Sequence, residues 1–176
     1  MADSNITKRA LAASLKELME ESSFSKINIA DICEKCEMNR KSFYYHFKDK
    51  YDLVNWIYQT EFISVAKEKD YAGAWDFMED ICAYLFEHSR FYRKAFLIEG
   101  QNSFFDYFTE ILSLFIGEYI EYGSLSQENA DFYLLFLVDA FTSAIRRWLL
   151  SRESQSPKEF VTGLKACIRF AAEEMA

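Results

Sequence analysis

Asn28-Ile29-Ala30-Asp31-Ile32-Cys33-Glu34-Lys35-Cys36-Glu37-Met38-Asn39-Arg40-Lys41-Ser42-Phe43-Tyr44-Tyr45-His46-Phe47 contains two helix starts in close succession. Asn28 is a helix cap, and Asp31 stands three residues on, where a carboxylate meets free backbone N–H groups. Ile29, Ile32, Cys33 and Cys36 make one apolar face of the helix over 29–36. Asn39 caps a second helix that runs only to Tyr45. A helix that short is unstable in isolation, so it needs anchors, and Phe43 and Phe47 are the apolar candidates. Its other side chains, Arg40, Lys41, Ser42, Tyr44, Tyr45 and His46, all form hydrogen bonds. Two short helices joined by a tight turn predict a helix-turn-helix, whose second helix enters the DNA major groove while the first crosses the backbone. A solvated surface helix accounts equally well for Lys41 or Ser42 alone, but two adjacent tyrosines cannot both point inward.

Upstream, Ala10, Leu11, Leu15, Leu18 and Met19 stripe a helix over 7–22, with Thr7 as its expected cap. Downstream, Lys48-Asp49-Lys50 breaks the pattern, and a long helix is expected over 49–69. After Gly73 the chain is helical throughout, with helices expected near 74–88, 90–98, 103–122, 126–152 and 157–174. Gly100 and Gly123 stand where helices should end. Ser156-Pro157-Lys158-Glu159 combines a cap, a proline at the first helical position and a capping-box glutamate. The expected fold is all-α, with about nine helices: a three-helix helix-turn-helix domain over 1–48 and a helical bundle over 49–176, joined by the helix at 49–69.

Composition agrees. The chain has 176 residues, 51% hydrophobic and 27% charged, with five glycines and one proline, too few for the turns of a β or doubly wound α/β protein. The N-terminus lacks the basic and apolar regions of a signal peptide, and no apolar run approaches a membrane span. Four cysteines then read as free thiols, and a cytoplasmic location with no membrane partner is expected. The net charge of −8 argues against nucleic acid, but its distribution does not. Residues 1–52 hold nine basic and nine acidic side chains, so the whole excess of acid lies in the remainder. A neutral head can present a basic face to phosphate within the screening length of about 8 Å.

At this point Ile29 to Cys36, followed by Arg40-Lys41-Ser42-Phe43-Tyr44-Tyr45-His46-Phe47-Lys48-Asp49-Lys50-Tyr51-Asp52-Leu53, resembles the DNA-binding signature of tetracycline-repressor-type (TetR) transcriptional regulators. The resemblance covers about residues 7–60. Phe91-Tyr92-Arg93-Lys94-Ala95-Phe96 and Gln101-Asn102-Ser103-Phe104 are in addition similar to the branch containing regulators of dihydroxyacetone-kinase operons. The resemblance implies that Asn39, Arg40, Lys41 and Ser42 lie nearest the bases. It implies phosphate contacts for Tyr44 and Lys50, and groove-edge or phosphate contacts for Tyr45 and His46. Chemically this division is sensible, because Arg and Lys read guanine edges while hydroxyls and helix N-termini hold phosphate. For His46 a purely structural place between Phe43 and Phe47 stays open. One departure is notable: the family carries Ala-Gly in the turn, and this chain has Cys36-Glu37. A glutamate in the left-handed region costs about 1–2 kcal/mol.

Other chemistries fare worse. Cys33-x-x-Cys36 near His46 suggests a metal, but tetrahedral zinc needs four ligands, and both thiols fall on an apolar face, so no metal is expected. There is no glycine-rich phosphate loop or nucleophile elbow, and only two histidines, so neither an enzyme nor a cofactor is expected.

The C-terminal part is rich in rings, more than one small core needs. A pocket between the helices at 74–122 and 126–152 is expected, with Tyr84, Phe104, Phe108 and Asp139 as lining candidates and Gln101, Asn102 and Arg146 as further polar groups. The helix at 126–152 is apolar nearly all round over 132–145 and needs a second partner. A two-fold homodimer through it and the last helix is expected, with Phe141, Ile145 and Trp148 at the interface, as the resemblance also implies. The expected function is a homodimeric repressor that binds a double-stranded operator and is released by a small-molecule effector. The alternative is a DNA-bound regulator controlled by a protein partner, with no small-molecule pocket.

Overall fold

A computed structural model describes residues 2–100, 102–119, 126–152 and 155–174. Among them are nine helices: α1 (Ala2–Glu21), α2 (Ile29–Lys35), α3 (Arg40–His46), α4 (Lys50–Tyr58), α5 (Ala74–Glu87), α6 (Ser89–Ala95), α7 (Phe104–Tyr119), α8 (Gln127–Leu150) and α9 (Pro157–Glu174). No strand occurs among the described residues, and no helix there is long and apolar enough to cross a membrane. The fold class is the expected one. Gly123 lies outside the described residues. The chain groups into two compact units, 1–68 with 90–108, and 69–89 with 109–176.

In the first unit, α1 buries Leu11, Leu15 and Met19 completely and packs on α2, α3 and α4. It begins at Ala2, so Thr7 sits inside the helix and is not its cap. No glycine or proline precedes Thr7 to stop the helix extending upstream. Phe24 tucks under the helices and meets Tyr51 edge-on at 5.0 Å. The long helix expected over 49–69 is interrupted. After Tyr58 it passes through a π-helical turn, Gln59–Ile63, before a last α-turn, Ser64–Ala66. The Ser64 hydroxyl donates to the Gln59 carbonyl at 2.8 Å, and the Tyr107 hydroxyl donates to Gln59 Oε1 at 2.7 Å. Both bonds satisfy acceptors on the widened turn. Around it close the buried rings of Tyr58, Phe62, Tyr92, Phe96, Phe104 and Phe108.

In the second unit, α5 packs on α8 and α9. Phe77 stacks on Phe115 at 4.1 Å, and Trp75 meets Phe141 edge-on at 5.8 Å. Trp148 lies between Phe86 at 5.8 Å and Phe160 at 4.5 Å, and its Nε1 donates to the Gln155 carbonyl at 2.9 Å. The α9 start is as read from sequence: Ser156 N and Oγ donate to the Glu159 carboxylate at 2.9 and 2.7 Å. These bonds to the ionised form hold the Glu159 carboxyl below its usual range.

Candidate nucleic-acid interface

The reading head is built from caps. Asn28 Oδ1 accepts from the Ala30 and Asp31 N–H groups at 2.8 and 3.1 Å, and Asp31 accepts from Asn28 N at 2.8 Å. This reciprocal box fixes the start of α2. At its end Cys36 leaves helical geometry, and Glu37 takes φ 56°, the left-handed conformation expected at the family's glycine position. The Met38 N–H closes the turn on the Cys33 carbonyl at 2.8 Å. Asn39 then caps α3, its Oδ1 accepting from Ser42 N at 2.9 Å and Ser42 Oγ at 3.3 Å.

Two aromatic anchors hold α3 down: Phe43 is 0% exposed and Phe47 3%. The opposite side presents Arg40, Lys41, Tyr44 and Tyr45 to solvent, Tyr45 at 83%. Asn39 is exposed at the N-terminal end, while Ser42 and His46 are half-buried. His46 lies edge-on to Tyr45 at 4.9 Å and tilted on Phe47 at 6.4 Å, so it props the exposed ring against the buried one. A groove of about 370 Å³ opens between α2 and α3, lined by Asn28, Ile29, Ala30, Asp31, Arg40 and Tyr44. A guanidinium, a phenol and the start of α2 there face one space. The Arg40 and Tyr44 donors suit a phosphate or a base edge, while the Ala30 and Asp31 N–H groups are already held by Asn28 and Asp31 adds a carboxylate to the lining.

Lys50 has a different setting from its neighbours. Its ammonium donates to the Phe24 and Ile27 carbonyls at 2.7 and 2.6 Å and lies 4.3 Å from the centre of the Phe24 ring. Burial lowers its pKa, with the Asp31 charge acting the other way. A phosphate contact from Lys50 therefore requires it to give up two backbone acceptors. The helix it starts is capped by Asp49, whose Oδ1 accepts from Tyr51 N and Asp52 N, each at 2.9 Å.

Among the residues expected around a ligand, Phe104 and Phe108 are enclosed in the first unit's ring cluster. Tyr84 and Asp139 belong to the second unit. Tyr84 is half-buried beside His88 at 4.6 Å, and Asp139 is exposed on α8. Gln101 lies outside the described residues. A cavity of about 570 Å³ occurs elsewhere in the first unit, lined by residues 21–25, Tyr51, Lys94 and residues 97–99. There Lys94 donates to the carbonyls of Glu20 at 2.9 Å and Ser22 at 3.3 Å, closing the end of α1. Sequence reading missed this lysine because its partners lie far away in the chain. Among the described residues, no group of three or more His, Cys, Asp or Glu is placed to hold a metal ion.

The three residues expected at a dimer interface are held within their own chain instead. Ile145 is fully buried, Phe141 packs on Trp75, and Trp148 is sandwiched between Phe86 and Phe160. The exposed stripe of α8 carries Phe132, Leu135, Phe136, Ala140 and Ser143, and α9 exposes Ala166 and Phe170. Trp75 on α5 covers Phe141, and Phe86 on α5 with Phe160 on α9 covers Trp148.

Comparison with known proteins adds the following. A model described as bacterial regulatory proteins, tetR family, matches residues 10–57, and one described as transcriptional regulator C-terminal region matches residues 74–169. The chain is 30% identical over 100 residues to the HTH-type dhaKLM operon transcriptional activator DhaS of Lactococcus lactis subsp. lactis (strain IL1403), covering 56% of this chain and 54% of that protein. That match spans about half the relative's length. Among solved structures, one titled dihydroxyacetone kinase operon activator DhaS has a TM-score of 0.65 at 24% identity, covering 94% of this chain and 97% of that one. A TetR transcriptional regulator from Streptococcus agalactiae 2603V has a TM-score of 0.68 at 21% identity, covering 92% of each chain. At these identities the two structures speak for the fold.

Proposed function

We propose that this chain, which belongs to the tetR family of bacterial regulatory proteins, acts in the cytoplasm as a homodimer that binds a double-stranded operator in a sequence-specific way. The observation that carries the reading is the capped α2–turn–α3 unit, with Phe43 buried on one side and Arg40, Lys41, Tyr44 and Tyr45 exposed on the other. Residues 1–48 read DNA, and residues 49–176 dimerise and receive the signal. Asn39, Arg40, Lys41 and Ser42 face the bases, Tyr44, Tyr45 and His46 face phosphates and groove edges, and Lys50 reaches phosphate by giving up the Phe24 and Ile27 carbonyls. The two heads reach half-sites about 34–36 Å apart when α8 and α9 pair across a two-fold axis. Selection of binding sites from random duplex DNA tests this: a two-fold symmetric consensus is expected, and binding without sequence preference overturns it.

Two forms of control fit such a regulator. In the first, a small molecule binds better to another spacing of the heads and releases a repressor. In the second, the protein is an activator controlled by a protein partner. Two observations favour the second. The rings of Tyr58, Tyr92, Phe96, Phe104 and Phe108 pack on one another with centroids 5.0–6.0 Å apart, so Phe104 and Phe108 meet other rings and do not line the unit's cavity of about 570 Å³, which lies at the end of α1. The DhaS relatives are named as operon activators, which supports activation over repression. Mass spectrometry of the purified protein under native and denaturing conditions separates the two, because a copurified small molecule supports the first.

A further inference from the structure

Cys33 and Cys36 take no part in holding DNA in the reading above, yet they occupy the last turn of α2, immediately before the left-handed Glu37. Cys33 is 2% exposed and Cys36 half-buried. The Cys36 thiol lies 3.3 Å from the Ile32 carbonyl and 3.6 Å from the Cys33 carbonyl, so it is folded back over the residue that carries the other thiol. Both thiols are free, and neither lines the groove between α2 and α3. We propose that Cys33 and Cys36 are a dithiol switch, oxidised by a low-molecular-weight disulfide to an intramolecular bond that unseats α3.

The exchange balances without any other reagent. The half-buried Cys36 loses its proton and attacks one sulfur of the small disulfide. A mixed disulfide forms, and the displaced thiolate takes up a proton. Cys33 then attacks Cys36 Sγ, expelling the second small thiol, which takes the Cys33 proton. The two cysteines lose two electrons, and the small disulfide gains them. Order of attack follows access, since Cys33 is shut away from solvent. Burial also raises the Cys33 thiol pKa, with Cys36 acting in the same direction and Arg40 in the other.

The consequence follows from distances. Helix neighbours at i and i+3 hold their Cβ atoms about 5–6 Å apart, whereas a disulfide needs about 3.5–4.5 Å. Closing the bond draws the two ends together by about 1–2 Å. Cys33 is fixed in the core, so the movement falls on Cys36, already outside helical geometry at φ −106° and ψ 16°. Cys36 leads through Glu37 to Met38, whose N–H holds the turn on the Cys33 carbonyl, and to the Asn39 cap. A short helix with two aromatic anchors has little else to fix its angle.

The switch rests on the DNA-binding reading only for its effect on operators, so the test has a part without DNA. The full chain is equilibrated with oxidised or reduced glutathione and alkylated, and its cysteine peptides are weighed. Amide exchange of residues 38–46 is followed on the same samples. The expected result is loss of two hydrogens from the peptide bearing Cys33 and Cys36, with exchange at least about tenfold faster and reversed by reductant. The selected operator should then bind about tenfold or more weaker in the oxidised sample. Cys36→Ser should keep basal operator binding and show no response. Cys33 and Cys36 both remaining alkylated overturns the proposal, as does a disulfide that leaves exchange unchanged. If the reduced protein binds no DNA, the operator reading fails, while the peptide masses and exchange still decide the switch.

Discussion

Replacing Phe136 with glutamate distinguishes a dimer on the exposed face of α8 from one on its buried face. Phe136 is 60% exposed in the single chain and Phe132 70%, so each ring has most of its surface available to a partner. Complete burial of a phenylalanine is worth about 1.5–3 kcal/mol, and the exposed share of Phe136 about 1–2 kcal/mol. Two-fold symmetry counts the residue twice, giving about 2–4 kcal/mol for the pair. At 1.4 kcal/mol per factor of ten, Phe136→Glu raises the dimer dissociation constant about 30- to 700-fold before the cost of desolvating two carboxylates is added. The fold of each chain should survive, because most of the ring lies outside its own core. Ile145→Glu, at a fully buried position, should unfold the second unit instead. Sedimentation velocity over a concentration series, with far-ultraviolet circular dichroism on the same samples, reads both effects. A folded Phe136→Glu protein that dimerises with wild-type affinity refutes the reasoning, and so does an Ile145→Glu protein that becomes a folded monomer.

Arg40→Ala or Lys41→Ala should relax preference at one base position of each half-site by about 1–3 kcal/mol, read by binding to single-base operator variants. Tyr44→Ala should weaken all sequences alike, and unchanged affinity for non-operator DNA would count against a phosphate role. Lys50→Met should lose stability in urea, since the Phe24 and Ile27 carbonyls lose their donor, and should lower the salt slope of DNA binding by about one, an unchanged slope refuting the phosphate contact. Glu37→Gly should stabilise the protein by about 1 kcal/mol in urea titration, since glycine relieves the left-handed strain at φ 56°.

The reading head was legible because its determinants are local. Asn28 and Asn39 each act on groups within three residues, as Ser156 does at the start of α9, so the capping role is written in the adjacent sequence. Lys50 was half legible: its place at the start of α4 is local, but its acceptors, Phe24 and Ile27, are more than twenty residues away. The face of α8 was not legible at all. Phe136 and Phe141 are the same residue type on a nearly all-apolar stretch interrupted by Asp139, and the packing of Trp75 on Phe141 puts that ring inside while Phe136 stays exposed. The ring cluster was foreseen as a surplus, but a surplus of rings can line a space or fill it. Side-chain packing, which has no sequence period, decides between those outcomes.

The widened turn that follows α4 also bears on how the helix over 50–66 tolerates changes in length. Elsewhere along it, deleting one residue would swing every later side chain by about 100° and carry buried positions into solvent. Between Gln59 and Ile63, hydrogen bonds already span one residue more than in an α-helix. A single deletion there can close the turn into regular helix and leave Leu53 and Ile57 before it, and Ala66 after it, on their buried sides. One residue of the chain is thus held as slack, at the place where Tyr107 and Ser64 satisfy the acceptors of Gln59.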